Sequence, residues 1–458
     1  LVNLCEEKTS CYKLVVCTAC NRVHVQMPEG VTPPVLPNQT VAQDVLLETF
    51  NLMCNGVPAN RVESIWLKTL CLGSDTLSRL LLDYRRYYAK PLTQSLLNAV
   101  KTTRVLIADE TTYDCLASEG MGSSKPAEKT YSQSYVLALS SVAAEDMPFV
   151  SYRYMPSRSA ESIRSILDKA QMQPEVLVTD GYGAYPGIAA EQLNATHQTC
   201  MVHFRREVLK ALDYKKYQKE FKKLSDEQIE AHWYGKLKSG EHITAKLMTV
   251  NQMISDIYHL ENLIKRDSNE SLESYYARVQ TNRQKNVQPI MDELDVIMRS
   301  MTDGAVEQRK GKYVALKEGL PHIRAVVYYM NQRSSLRYFL QDPRVPCDTN
   351  VVERAIRPLT ILRKNAYFAQ SVEGMEKLCD IFTLYETARV NGIDFVQWLE
   401  DYGRALFKHC YEGGWTKELR QNPGKDLDKK IMKWDFEALA QGFNFDEWLP
   451  WNYKKRTV

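Results

Sequence analysis

Apolar positions in the first part of the chain recur with a helical period. Between residues 40 and 97 they return at intervals of three and four, the spacing that places side chains on one face of a helix. The pattern breaks at 56–58 and again at Gly73, where glycine and proline favour turns. Residues 60–82 therefore predict two helices joined by a short turn. This pair is either a helix-turn-helix that reads DNA or an ordinary helical hairpin that packs on its neighbour.

Residues 104–212 change to a pattern in which short aliphatic runs alternate with a helical stretch. The first run, 105–108, is apolar at every position, as expected of a strand that is buried on both faces. Alternating strands and helices are typical of an α/β unit built around a sheet. The predicted strands cover 105–108, 134–140, 148–154 and 175–179, and the predicted helix covers 159–170.

Three acidic residues lie at positions where this pattern favours a chemical role over simple exposure to solvent. Asp109 and Asp180 each follow a short aliphatic run, so a strand would deliver both side chains to the rim of a sheet. Glu353 lies on an apparent helix among basic residues. Mg²⁺ prefers a few carboxylate oxygens and completes its shell with water or phosphate oxygens. The three acids therefore predict a metal-binding triad suited to phosphodiester chemistry, whereas the adjacent Glu110 is expected to make a structural bond.

Short motifs surround the three acids and continue, in order, along most of the chain. Together they resemble the DDE transposases of the insertion-sequence sixty-six family. The lead-in Asp348-Thr349-Asn350 departs mildly from the family's Asp-Asn-Asn and leaves Glu353 intact. The motifs are Ala108-Asp109-Glu110-Thr111, Thr179-Asp180-Gly181-Tyr182, Cys200-Met201-Val202-His203, Asn350-Val351-Val352-Glu353-Arg354, Arg363-Lys364-Asn365, Glu386-Thr387-Ala388-Arg389 and Leu449-Pro450-Trp451.

The resemblance implies a fold and an activity. The fold would be α/β, with a ribonuclease H-like catalytic core, a helical insertion, and helical regions before and after the core. Asp109, Asp180 and Glu353 would hold Mg²⁺ or Mn²⁺. The enzyme would cut DNA at the ends of an insertion sequence and join the freed 3′-hydroxyls to target DNA. Its partners would be element ends, target DNA, further copies of this chain in a homo-oligomer, and accessory proteins of the element.

Three further residues are expected to support the site. Cys200 and His203 match the family's Cys-x-x-His pair, and their spacing places both on one helix face. A core thiol and a histidine that orients a loop or a phosphate are favoured over direct catalysis. Asn350, at helical spacings from Glu353 and Arg357, is expected on the same side of its helix.

Basic residues near the acids predict contacts with DNA phosphates, which position a nucleic acid without reading its sequence. An alternative is that the arginines that follow Glu353 form ion pairs with acids such as Asp348. The expected phosphate contacts are Arg158, Arg354, Arg357, Arg363 and Lys364.

Cysteines near the N-terminus suggest a structural zinc site. Cys17 and Cys20 have the spacing that lets two thiolates reach one tetrahedral Zn²⁺. The resembled family has a second such pair upstream, whereas this chain has the single residues Cys5 and Cys11, with His24 nearby. Either zinc is bound at Cys17 and Cys20 or these are reduced, partly buried thiols.

Composition places few further limits on function. The formal charge of +3 is too close to neutral to indicate nucleic acid by itself. Eleven scattered cysteines fit a reduced compartment better than a disulfide framework. The chain has no apolar run long enough to cross a bilayer and no signal peptide. We therefore expect no membrane partner and a bacterial cytoplasmic protein associated with the nucleoid.

These observations divide the chain into six expected regions. The rival interpretations are a remnant transposase that represses its element by binding DNA, and a nuclease on the same core that cuts without joining. The regions are 1–37, a zinc-binding segment and proline-rich linker; 38–103, helical; 104–212, the first part of the catalytic core; 213–344, the helical insertion; 345–392, the end of the core; and 393–458, a helical C-terminal subdomain.

Overall fold

The computed structural model describes most of the chain in ranges separated by gaps. The expected zinc ligands Cys17 and Cys20 lie outside these ranges. No helix within them is both long and apolar enough to span a bilayer. The described residues are 13–16, 23–26, 41–70, 73–116, 131–142, 144–213, 222, 225–228, 242–267, 269–302, 304–316, 320–414 and 435–457.

The N-terminal part contains a strand pair and four helices. The antiparallel strands are β1 (Lys13–Val16) and β2 (Val23–Gln26). The two helices predicted over 60–82 are present, and the second buries Leu77 and Leu80 in the core. Whether this pair reads DNA stays a prediction. The helices are α1 (Gln43–Cys54), α2 (Ala59–Leu70), α3 (Ser74–Tyr84) and α4 (Lys90–Val100).

A five-stranded mixed sheet forms the centre of the fold. The sequence predicted four of its strands and missed the last, whose letters Thr-His-Gln-Thr contain no aliphatic residue. Its strands are β3 (Val105–Leu116), β4 (Tyr131–Ser140), β5 (Val150–Met155), β6 (Val176–Thr179) and β7 (Thr196–Thr199).

The order across the sheet is β5-β4-β3-β6-β7. β4 is antiparallel to both β3 and β5, whereas β6 is parallel to β3 and to β7. The sheet therefore combines an antiparallel half with a parallel half, and β3 lies between them.

The sequence predicted Asp109 at the end of a strand, but the structure places it inside one. β3 continues to Leu116 because β4 pairs with it from Ile107 onward. On the other side, β6 stops pairing at Ile107. Asp109 therefore lies beside the point where β6 ends, and the end of β6 forms the rim of the sheet there.

The rest of the described chain is mainly helical. The expected all-helical insertion also contains a β-hairpin, β8 (Val306–Arg309) and β9 (Lys312–Ala315). It turns at Lys310 and Gly311, both with positive φ, the conformation that tight hairpin turns require. The helices are α5 (Ala160–Lys169), α6 (Tyr185–Gly187), α7 (Met201–Leu212), α8 (Ile243–Leu263), α9 (Leu272–Asn282), α10 (Gln288–Ser300), α11 (Pro321–Leu336), α12 (Asn350–Ala366), α13 (Val372–Asn391), α14 (Phe395–Gly414), α15 (Phe436–Leu439) and α16 (Pro450–Thr457).

Helix α13 covers the β5 edge of the sheet. The Thr383 hydroxyl accepts a hydrogen bond from the Tyr152 backbone N–H at 2.9 Å. The Thr387 hydroxyl accepts from the Val150 N–H at 3.2 Å and donates to the Val150 carbonyl at 2.9 Å. An edge strand otherwise leaves a row of unpaired backbone groups. These two threonines therefore attach a helix to a sheet through backbone groups that are already buried.

We expect Thr383→Val and Thr387→Val each to lower the free energy of unfolding by about 1–3 kcal/mol, because each leaves a buried N–H without its acceptor. Chemical denaturation measures the loss. The matched control is Thr281→Val on α9, whose exposed hydroxyl bonds only to the Ala277 carbonyl of its own helix. A control that costs as much as the two buried variants would contradict this role for α13.

Candidate functional site

An open cleft of about 560 Å³ lies where β6 ends beside β3. Asp109 reaches it from β3, Asp180 from the loop after β6, and Glu353 from the first turn of α12. Three acids that are far apart in sequence thus border one space. The cleft is lined by Asp109, Glu110, Thr111, Thr112, Tyr135, Arg158, Asp180, His203, Arg206, Glu353, Ile356, Arg357 and Thr360.

The acids form two groups across this cleft. Oxygen atoms of Asp109, Glu110 and Asp180 lie within 4.8 Å of one another. Glu353 belongs to a second group, in which its carboxylate, the His203 ring and the Cys200 thiol lie within the same distance. Glu353 therefore borders the same cleft as the two aspartates, but its nearest possible metal ligands are His203 and Cys200.

The charge of Asp109 is strongly disfavoured in the isolated protein. Burial and the neighbouring Glu110 raise its pKa to about 7, and the charges of Asp180 and Glu353 contribute. Its one described hydrogen bond, from the Glu110 N–H at 2.9 Å, works in the opposite direction. A buried carboxylate surrounded by other carboxylates is a donor set that suits a hard divalent cation.

The motif around Asp180 fixes the direction of its carboxylate. The Tyr182 N–H donates to Asp180 Oδ1 at 2.9 Å. Gly181 has no side chain at a point where a Cβ would lie 2.3 Å from the Tyr328 hydroxyl of α11. The Arg158 guanidinium donates to Asp180 Oδ2 at 2.8 Å and lies over the Tyr182 ring, 4.6 Å from its centroid. The glycine and the tyrosine of this motif are thus both explained by packing.

Glu110 makes the structural bonds that the sequence predicted. Its side chain is 1% exposed. It accepts hydrogen bonds from the Tyr185 hydroxyl at 2.5 Å and from Arg158 at 3.2 Å. Arg158 therefore bridges two acids, and Tyr185 holds Glu110 against the start of α6.

Glu353 is held by residues of α7 and by the residue before its own helix. Arg206 donates to Glu353 Oε2 at 3.1 Å, and the Thr349 hydroxyl lies 3.4 Å from Oε1. An acid in the first turn of a helix is also favoured by the helix dipole. Sequence reasoning missed Arg206, although it stands one helical turn after His203 and so on the same face.

Cys200 and His203 have different roles in the structure. The buried Cys200 thiol, whose pKa is raised to about 11 by burial, accepts hydrogen bonds from the Thr349 N–H and hydroxyl at 3.3 and 3.2 Å. It therefore links α7 to the start of α12. His203 lines the cleft, and its Nε2 accepts from Arg206 at 2.9 Å. Burial and then Arg206 lower the pKa of His203, which favours the neutral form that accepts this bond.

The expected phosphate contacts do not all face the cleft. Arg158 and Arg357 line it. Arg354 is exposed and lines a second cavity beside the start of α12. Lys364 is exposed. Arg363 donates to the hydroxyls of Thr111 and Thr112 and to the Thr112 carbonyl, and so ties α12 to β3.

Asn350 is the first residue of α12, but it lines the second cavity, whereas Glu353 and Arg357 line the cleft. Its N–H and its side-chain amide both donate to the Asp348 carboxylate. It lines the second cavity together with Arg354, and its supporting role at the site stays a prediction.

Known proteins resemble this chain in sequence. One relative, the uncharacterized protein y4qI of Sinorhizobium fredii, is 25% identical over 426 residues, which cover 92% of this chain and 66% of that protein. Another from the same organism, y4jD, is 24% identical over 327 residues, 69% of this chain and 52% of the relative. The chain thus spans between half and two thirds of the length of these relatives.

A solved structure and a family model also match. The structure is the Drosophila P element transposase strand transfer complex, with 12% identity, a TM-score of 0.36, and coverage of 78% of this chain and 94% of that one. The sequence model of the IS66 transposase family matches residues 47–377, well over half of the chain, and this range includes all four acids of the cleft. The chain therefore belongs to the IS66 transposase family.

Proposed function

We propose that this protein cuts DNA at the ends of an insertion sequence and joins those ends to target DNA, with Asp109, Asp180 and Glu353 as its metal-binding catalytic residues. The observation that carries the proposal is that these acids, delivered by β3, the loop after β6 and α12, line one open cleft. The antiparallel and parallel halves of the sheet support a ribonuclease H-like core. Element ends, target DNA, further copies of this chain and accessory proteins are the proposed partners, at the bacterial nucleoid.

The donor set fits Mg²⁺ or Mn²⁺. Asp109, Asp180 and Glu353 would hold the ions, because carboxylate oxygens are the ligands these cations prefer. Bound there, the ions would acidify a water molecule and neutralise charge at the scissile phosphate. The structural zinc proposed at Cys17 and Cys20 would be a different metal site from this one.

The arginines of the cleft have a role of their own. Arg158 and Arg206 each lie against a proposed metal ligand, at 2.8 Å from Asp180 and 3.1 Å from Glu353. Guanidinium groups bind phosphate oxygens as readily as they bind carboxylate oxygens. We propose that these two arginines and Arg357 position the DNA backbone, and that His203, as the neutral acceptor for Arg206, orients that guanidinium.

We expect Asp109→Asn, Asp180→Asn and Glu353→Gln each to lower the rates of cutting and joining at least about a hundredfold, because each removes a group that acts on charge in the transition state. Binding to DNA should remain within about twofold, since no phosphate contact is lost. Labelled end DNA incubated with Mg²⁺, Mn²⁺ or a chelator reports both steps. Asp114→Asn, an exposed acid of the same strand, is the matched control and should retain activity.

The wild-type protein separates the rival functions in the same assay. Joining of cut ends to a second DNA supports a transposase. Cutting without joining would identify a nuclease, and specific binding without either step would identify a repressor. Activity of any triad variant close to wild type would contradict the assigned site.

Arg363→Ala and Lys364→Ala form a second test, because the two neighbours differ in their contacts. Lys364 is exposed, so its loss should reduce the slope of log affinity against log salt by about 1 and leave thermal stability unchanged. Arg363→Ala removes hydrogen bonds to β3, so its melting temperature should also fall. DNA titrations at several salt concentrations, with melting curves, measure both. An unchanged slope for both variants would remove them from the DNA path.

A further inference from the structure

A second cavity, of about 210 Å³, lies beside the start of α12, and it shares no lining residue with the acidic cleft. That volume is several times the space occupied by one water molecule. Helices α8 and α9 form one wall, and the segment 343–348 with the start of α12 forms the other. The successive residues Glu353 and Arg354 border the cleft and the cavity respectively. The cleft and the cavity therefore border the same turn of α12, so that a strand at Glu353 would pass close to Arg354.

Aromatic side chains dominate one wall of this cavity. Tyr275 and Tyr276 are half-buried, with ring centroids 5.3 Å apart. Tyr258 of α8 also lines it, and its buried hydroxyl has no hydrogen-bond partner among the described residues. A buried tyrosine hydroxyl usually has a partner. The wall therefore offers ring faces together with a donor and acceptor group that is unsatisfied.

The acids of the cavity are already occupied by other groups. Glu261 is paired with the buried Arg283 at 2.7 Å, and Asp348 accepts the hydrogen bonds of Asn350. Arg354, in contrast, is exposed at the cavity. This chemistry disfavours a metal ion and favours a planar, hydrogen-bonding group attached to an anion.

We propose that this cavity takes up one unstacked nucleobase of the DNA strand that passes the cleft, with Tyr276 stacking on it, Tyr258 bonding its edge and Arg354 contacting an adjacent phosphate. Bases drawn out of a stack are commonly held by aromatic faces. The inference rests on the proposed function, because it needs DNA at the cleft. It adds a contact that fixes the position of the strand relative to Glu353.

The test compares two labelled strands of equal length, oligothymidylate and an abasic strand with the same backbone, by fluorescence anisotropy. The wild type should bind oligothymidylate about tenfold more tightly, since a base that stacks on an aromatic side chain gains affinity that an abasic site cannot. Tyr276→Ala should lose at least about fivefold in affinity for oligothymidylate and nothing for the abasic strand. Tyr276→Phe, which keeps the ring, should retain the preference, as should Tyr313→Ala on β9, outside the cavity.

The outcomes separate this inference from the function on which it rests. If Tyr276→Ala keeps the full preference, or if the wild type binds both strands equally, the cavity does not hold a base, although DNA binding stands. If the wild type binds neither strand at low salt, the proposed function and this inference both fail.

Discussion

Carboxylates that are gathered in one partly buried cleft repel one another. The effect on Asp109 is large, because burial and its acidic neighbours raise its pKa to about 7. Arg158 and Arg206 lie against Asp180, Glu110 and Glu353 and offset part of the charge. Sites arranged in this way commonly reduce stability in favour of function. A cation would relieve the same repulsion, so the electrostatics that disfavour the charged carboxylates are those that would favour a bound metal ion.

The scaffold around the cleft keeps these charges in place. β3 contributes Asp109 from its middle, where β4 still pairs with it and β6 no longer does. Cys200 and Arg363 fix α12 from its two ends, through Thr349 and through β3. Gly181 lets α11 approach the loop of Asp180. Cys200, a residue type that often takes part in catalysis, therefore acts here by packing and hydrogen bonding.

The sequence predicted the features that depend on local pattern. Aliphatic runs marked four strands of the sheet, and helical spacing placed Glu353 on α12. It missed features that depend on distant partners. The sequence of β7 is polar, so its pattern does not mark a strand, and only its pairing with β6 identifies it as one. The length of β3 depends on β4, and the bond of Arg206 to Glu353 joins residues that are remote in the chain. The spacing also gave no sign that Asn350 bonds to Asp348 and lines a second cavity.

Iron-directed cleavage of the polypeptide tests the central claim most directly, because Fe²⁺ replaces Mg²⁺ at carboxylate sites and generates radicals that cut the nearby backbone. With ascorbate and peroxide, we expect cuts near Asp109, Asp180 and Glu353, suppressed by excess Mg²⁺ and lost in Asp109→Asn. This pattern would show that segments distant in sequence share one metal site. Cuts confined to one of the three segments, or cuts that Mg²⁺ does not suppress, would contradict the account.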